Sequence, residues 1–178
     1  MVPFVLEVFT LTVAGVFVGF YVFYYLLCLR YSRMKRASDD GSLKSEYSPS
    51  VSFIVPTYNE NKVIAERIRN FREMNYPMEK LEVVFVDGGS DDGTVGKIRS
   101  LARDLPFQTK IVEQGSRKGF NAAVIEGFYS TVGEIIFITG AETQYAPDTV
   151  RIMVNHFNDS TVGAVNGTMR VNNPAKGL

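Results

Sequence analysis

Two hydrophobic rhythms divide the chain. Residues 8–29, VFTLTVAGVFVGFYVFYYLLCL, are uncharged throughout. Wound as a helix, such a block spans about 33 Å, enough for a hydrocarbon core of about 30 Å. Tyr21, Tyr24 and Tyr25 gather toward one end, where an aromatic belt meets lipid headgroups. A cleaved leader has basic residues before a shorter apolar run and small residues at a cleavage site after it, and this block has neither. A membrane anchor over residues 1–30 is therefore expected. Arg30, Arg33, Lys35 and Arg36 follow at once, and the positive-inside rule then places the remainder in the cytoplasm. Residues 31–50 read as a basic and polar linker, because ASDDGSLKSEYSPS holds Gly, Pro and five serines.

From Val51 the pattern changes. Short β-type runs at 51–56, 81–86, 108–112, 135–139 and 162–165 alternate with amphipathic stretches. Ile64, Ile68 and Phe71 share one helical face, and Val95, Ile98 and Ala102 share a second. Phe120, Val124 and Phe128 form a third stripe, and Val150, Met153, Val154 and Phe157 a fourth. Strand alternating with helix predicts an α/β fold over 51–178, with a mainly parallel sheet and helices on both faces.

Composition narrows the chemistry. Lys plus Arg and Asp plus Glu number 19 each, so no excess of positive charge points to nucleic acid. Cys28 is the only cysteine and lies in the apolar block, and His156 is the only histidine. No Cys/His cluster for zinc and no intramolecular disulfide can form.

In open parallel sheets ligands bind beyond the carboxyl ends of the strands. The segments after the first four runs are Thr57-Tyr58-Asn59-Glu60, the 87–94 stretch DGGSDDGT, the 115–119 stretch GSRKG, and Gly140-Ala141-Glu142. Taken singly they have plain structural uses. Asn59 and Asp91 or Asp92 can cap helices, glycines can supply positive φ, and Arg117 and Lys118 can be a solvated first turn. Together they outline a cleft with carboxylates and two cations, suited to a nucleoside diphosphate. Neither G-x-G-x-x-G after the first strand nor G-x-x-x-x-G-K-[ST] anywhere is present, which argues against a dinucleotide enzyme or a P-loop NTPase. The diphosphate is left to a metal, to Arg117 and Lys118, or to both.

The stretch VSFIVPTYNENKVIAERIRNFREMNYPMEKLEVVFVDGGSDDGT, residues 51–94, resembles the opening of family 2 glycosyltransferases with the GT-A fold. VPTYNE, NYP and VDGGSDDGT match in order and spacing. RKGFNAAVIEGF resembles the family's basic loop and following helix, and GEIIFITGAETQYAPD its strand and metal motif. The resemblance covers about 51–178, and NYP is similar to what membrane-bound chitin-, hyaluronan- and cellulose-synthase-like members carry. It implies an inverting transfer of sugar from a nucleotide-sugar donor, most often a UDP-sugar, to a lipid-linked or polysaccharide acceptor at the cytoplasmic membrane face. By position, it implies that Thr57, Tyr58 and Glu60 frame the nucleoside. Asp87 would accept a hydrogen bond from the base, and Arg117 and Lys118 would face the diphosphate. Ala141 would sit within the metal motif, and Glu142 would hold Mg²⁺ or Mn²⁺.

Two departures qualify that resemblance. The family's metal motif is Asp-x-Asp, whereas Gly140 stands at its first position here, and Gly88 stands where the family often has a second Asp. The site is then either a weakened metal site or a degenerate one. The family's general base is expected beyond Leu178, which leaves the donor half on this chain. The alternative is a membrane-tethered, non-catalytic relic of a donor site or a regulatory partner. A nucleotidyltransferase of similar topology would open with a Gly-rich, Arg/Lys-containing loop, which PTYNEN is not.

Overall fold

The computed structural model describes residues 2–38 and 47–168, which belong to two units divided between residues 43 and 44. The first unit is one helix, α1 (Val2–Ser38). Its segment Glu7–Arg30 has 24 residues and a mean hydropathy of 2.0, long and apolar enough to cross a membrane. None of that segment is buried, and Phe17, Phe20, Tyr21, Tyr24 and Tyr25 are all exposed. The helix continues through the basic segment to Ser38, so the part of the expected linker from 31 to 38 is helical. No Gly or Pro interrupts it there, and Met, Lys, Arg and Ala are good helix formers. The rest of that linker up to residue 46 lies outside the described residues.

The second unit alternates strand and helix. Its order is β1 (Val51–Thr57), α2 (Ile64–Arg72), β2 (Leu81–Asp87), α3 (Thr94–Leu101), β3 (Gln108–Glu113), α4 (Phe120–Ser130), β4 (Ile135–Ile138) and α5 (Thr149–Asn155). The strands are parallel in the order β3-β2-β1-β4. Val51 is in register with both Leu81 and Ile135, and Thr57 with Asp87. The chain winds outward from β1 to β3 and then returns to add β4 on the other side of β1. The strand order therefore reverses between β1 and β4, and at such a reversal open parallel sheets bind ligands beyond their carboxyl edge.

The expected strand at 162–165 does not form. Residues 162–168 join no ladder. The run includes Gly163 and Ala164, both weak strand formers, and the Val162 N–H donates to the Asp159 carbonyl at 2.9 Å, closing a turn instead.

Buried on both faces, β1 and β2 read as near-continuous apolar runs. One face carries the larger core. There Val51, Phe53 and Val55 meet Ile64, Ile68 and Phe71 of α2, Ile98 of α3, and Val150 and Val154 of α5. Phe53 sits at its centre, with ring centroids 4.9 Å from Phe71 and 4.8 Å from Phe137. On the other face Ile54, Val84 and Val86 receive α4 through Ala123.

The expected stripe Phe120, Val124, Phe128 does not seat α4, since Phe120 and Phe128 are 57% and 55% exposed. The buried positions of α4 are Ala123 and Gly127. A Cβ on Gly127 would stand 2.5 Å from Ile54 Cγ2 and 3.1 Å from Val86 Cγ2. The helix lies so close to the sheet that its contact line must be made of the smallest residues, while aromatic rings there would hold it off.

A polar knot closes the amino end of the sheet. The Glu82 carboxylate, buried beneath the turn into β4, accepts from Ser52 Oγ and from the Val132 N–H at 3.0 Å, and pairs with Lys110 Nζ at 2.7 Å. The Gly133 N–H donates to Ser52 Oγ at 2.8 Å. Burial alone pushes the Glu82 carboxyl up, but the hydrogen bonds from Lys110, Ser52 and Val132 outweigh it and hold the group below the usual glutamate range.

Two outcomes follow from this packing. Gly127→Val should lower stability by about 1–3 kcal/mol through overpacking, read from the urea midpoint of the full chain. Glu82 has a depressed folded pKa, so its contribution is complete above the ordinary value of 4.5 and is lost as pH falls through the lower folded value. Glu82→Gln should therefore flatten the acid limb of the stability–pH curve while lowering stability at neutral pH.

Candidate functional site

β1 and β2 end side by side at Thr57 and Asp87. The Asp87 carboxylate is 1% exposed. Its Oδ1 accepts from Thr57 Oγ1 at 3.1 Å and Ser90 Oγ at 2.6 Å, and its Oδ2 from the N–H groups of Gly89 at 3.0 Å and Ser90 at 2.8 Å. A carboxylate has about four lone-pair positions, so these bonds fill it. Asp87 thus folds the 87–90 turn around itself, and Gly89, with φ of 85°, supplies the left-handed residue that turn requires. Direct contact with a base, as expected of Asp87, would require one of these internal bonds to be given up.

The segments after β1 and β2 are knitted together. Asn59 adopts φ of 57°, a left-handed conformation that asparagine tolerates. Its N–H donates to Ser90 Oγ at 2.9 Å, and its Oδ1 accepts the Asp91 N–H at 3.1 Å. The Glu60 N–H donates to Thr94 Oγ1 at 2.8 Å, and the Asn61 N–H to Asp92 Oδ2 at 3.0 Å. The polar residues of these two loops hold the rim in shape before any ligand is met.

Tyr58 and Arg117 form the exposed lip. The guanidinium carbon of Arg117 lies 4.4 Å from the centroid of the Tyr58 ring. Gly88 is buried beneath them: a Cβ there would stand 3.5 Å from Tyr58 Cδ2 and 3.8 Å from the Arg117 Cα. A planar cation on an aromatic ring offers both a flat apolar surface and donors for an anion. Lys118 is turned away onto α4, where its Nζ bonds Glu126 Oε1 at 2.9 Å.

Across the crevice lies the turn after β4. The Ala141 side chain is 2% exposed and belongs to the larger core, so it anchors the turn. Glu142 is exposed, and its carboxylate is folded back over Gly140. A Cβ on Gly140 would stand 2.9 Å and 3.0 Å from the two carboxylate oxygens. Burial raises the Glu60 carboxyl above its ordinary value, and the charges of Glu142 and Asp92 raise it further. Among the described residues no three His, Cys, Asp or Glu side chains gather to hold a metal unaided. Glu142 offers one hard oxygen donor, and Mg²⁺ is commonly bound through one or two carboxylates together with substrate phosphates. The residues present fit a divalent cation held jointly with a diphosphate.

Sequence reasoning missed Arg67. It is 1% exposed within α2, with its guanidinium 4.0 Å from the Phe71 centroid and 4.9 Å from that of Tyr145. Its Nη1 donates to Asn70 Oδ1 at 2.9 Å and its Nη2 to Thr139 Oγ1 at 3.2 Å. Asn70 in turn clasps Tyr145, accepting its N–H and donating to its carbonyl, both at 2.9 Å. A buried cation therefore props the turn that carries Gly140, Ala141 and Glu142. Desolvation pushes its pKa down to about 10, still well above neutrality. The signal was present in the sequence, because Arg67 falls at helical spacing inside the Ile64, Ile68, Phe71 stripe.

The second unit is similar in sequence and fold to known glycosyltransferases. The family model described as Glycosyl transferase family 2 matches residues 52–177. The solved mannosyltransferase PcManGT from Pyrobaculum calidifontis, in complex with GDP-Man and Mn²⁺, is 38% identical with a TM-score of 0.70, over 80% of this chain and 43% of that one. Dolichol-phosphate mannosyltransferase of Saccharomyces cerevisiae is 33% identical over 61% of this chain and 41% of its own length. An N-acetylglucosaminyltransferase of Rhizobium leguminosarum is 33% identical over 71% of this chain and 30% of its own. The chain thus spans well under half the length of these relatives.

Arg67→Met should cost about 1.5–3 kcal/mol, the range for hydrogen bonds to a charged group. It should also speed amide exchange at Tyr145, whose partner Asn70 loses its brace. Unchanged exchange there would contradict the propping role.

Proposed function

The chain belongs to glycosyl transferase family 2, and on that footing we propose that its second unit binds the nucleoside diphosphate of a sugar donor at the carboxyl edge of the sheet. The protein then moves the sugar, with inversion, to a lipid-linked or polysaccharide acceptor. The observation that carries this reading is the Tyr58–Arg117 pair, stacked at 4.4 Å above buried Gly88 at the mouth of the crevice. Thr57, Tyr58 and Glu60 frame the nucleoside, on a wall that Asp87 holds rigid. Uracil presents a ring N–H between two carbonyls and guanine a ring N–H between a carbonyl and an amino-bearing carbon, so either base offers a donor to such a wall. GDP-Man in the Pyrobaculum enzyme supports a nucleotide-sugar donor. Arg117 meets the diphosphate directly, and Lys118 joins it by leaving Glu126.

Ala141 fixes the turn from which Glu142 faces the diphosphate. A bound Mg²⁺ or Mn²⁺ supplies the charge that stabilises a departing diphosphate. The chain's own residues orient the donor so that an acceptor oxygen approaches the anomeric carbon in line with the leaving group. The apolar α1 segment and the basic residues after it support action at the cytoplasmic face of a membrane. The relatives named for dolichol phosphate support a lipid-linked acceptor.

Titration calorimetry of the full chain in detergent micelles, with UDP, GDP and their sugars, tests the reading. One nucleoside diphosphate should bind, and Arg117→Ala should weaken it about tenfold, a loss of ~1.4 kcal/mol. Binding of neither nucleotide, with or without Mn²⁺, would overturn the assignment. Binding without any transfer, once acceptors are supplied, would favour the non-catalytic relic.

A further inference from the structure

Position 142 carries the one carboxylate left in a turn where the family has two, and that carboxylate does not point away from the turn. It lies back across Gly140, with both oxygens and their carbon within 2.9, 3.0 and 3.1 Å of the point where a Cβ on residue 140 would stand. A side chain emerging from residue 140 would fill that same space. Glutamate is one methylene longer than aspartate, and here its carboxylate reaches back over residue 140. Glycine is the one residue that leaves the space empty. Loss of a side chain at 140 and gain of length at 142 are therefore two halves of one arrangement.

We propose that Glu142 acts from the place of the missing residue-140 side chain, and that Gly140 is a positioning residue whose bareness lets this carboxylate reach a divalent cation bound with the donor diphosphate. The turn is rebuilt rather than degenerate: a single carboxylate is kept and its origin has moved. The proposal rests on the nucleotide-binding reading above. Two supports keep the arrangement in place. Ala141, between the two residues, is fixed in the core, and Thr139 before them is held by Arg67. The turn can therefore not swing to accommodate a bulkier residue 140, and the yielding part is the end of the Glu142 side chain. A substitution at 140 should then displace the carboxylate without unfolding the protein.

The test measures binding of whichever of UDP or GDP binds the wild-type full chain, by calorimetry with and without Mn²⁺, beside the thermal midpoint of each variant. Wild type should bind about tenfold or more tightly with Mn²⁺, and Glu142→Ala should lose that gain. Gly140→Ala should lose most of it with an unchanged midpoint, although no carboxylate has been removed. The double variant Gly140→Asp with Glu142→Ala should regain it, because a carboxylate again fills the same space from the other residue. Full Mn²⁺ coupling in Gly140→Ala, or failure of the double variant to regain it, would overturn the proposal. So would metal-independent binding in wild type, which would leave the nucleotide site standing. If no nucleotide binds wild type at all, the underlying reading falls and this proposal falls with it.

Discussion

A carboxylate shut away from water has to be met by donors, and the crevice depends on how Asp87 meets that demand. Its four hydrogen bonds draw in Thr57 from the neighbouring strand and the 89–90 backbone from its own loop. Ser90, once held, receives the Asn59 N–H, and Asn59 caps the Asp91 amide in return. One desolvated charge at a strand end is in this way propagated through three segments of chain. A rim fixed by internal bonds loses little conformational entropy when a ligand arrives, which is what a binding site gains from preorganisation. Gly88 lies buried in the turn Asp87 dictates, directly beneath Tyr58 and Arg117.

The opposite wall is built on a different principle. Where Asp87 is an anion filled by neutral donors, Arg67 is a cation held by aromatic faces and two oxygen acceptors, with its buried Nε left unpaired. It sits beneath a turn that presents Glu142, with Glu60 across the cleft. Positive charge below and negative charge at the surface give this wall a polarity that suits a divalent cation arriving with a diphosphate. On the proposed reading, Arg117 on the other lip addresses the diphosphate itself. On that reading electrostatic complementarity is divided between two groups of loops, which the parallel sheet brings to the same carboxyl edge.

Much of this was legible in the sequence because the physics involved is local or periodic. The four strands begin where the β-type runs begin, at Val51, Leu81, Gln108 and Ile135, and β1 and β2, buried on both faces, show the near-continuous apolar run that such a strand requires. The stripes of α2 and α5 face the core for the same reason. The errors arose where a long-range distance decided. α4 turned its aromatic stripe outward because the sheet admits only Ala123 and Gly127 at that separation, and no periodicity encodes a separation. A strand at 162–165 depended on finding a ladder partner, which a run of apolar residues does not guarantee. The role of Arg67 is not legible in the sequence, because a charged residue beside an apolar stripe has the same pattern as a solvated neighbour and only its partners distinguish the two. Gly140 was visible as a departure from a motif, but the place of the Glu142 carboxylate over it is a matter of ångströms.

The central claim is that the carboxyl edge of this sheet receives a nucleoside diphosphate. It is tested most directly by following backbone amide resonances of the ¹⁵N-labelled full chain in micelles during titration with UDP or GDP. The account predicts shifts at Tyr58, at 88–90, at Arg117 and at 140–142, with the Val132 and Gly133 amides at the amino end of the sheet unmoved. Shifts centred on Val132 and Gly133, or none at any nucleotide concentration, would contradict it.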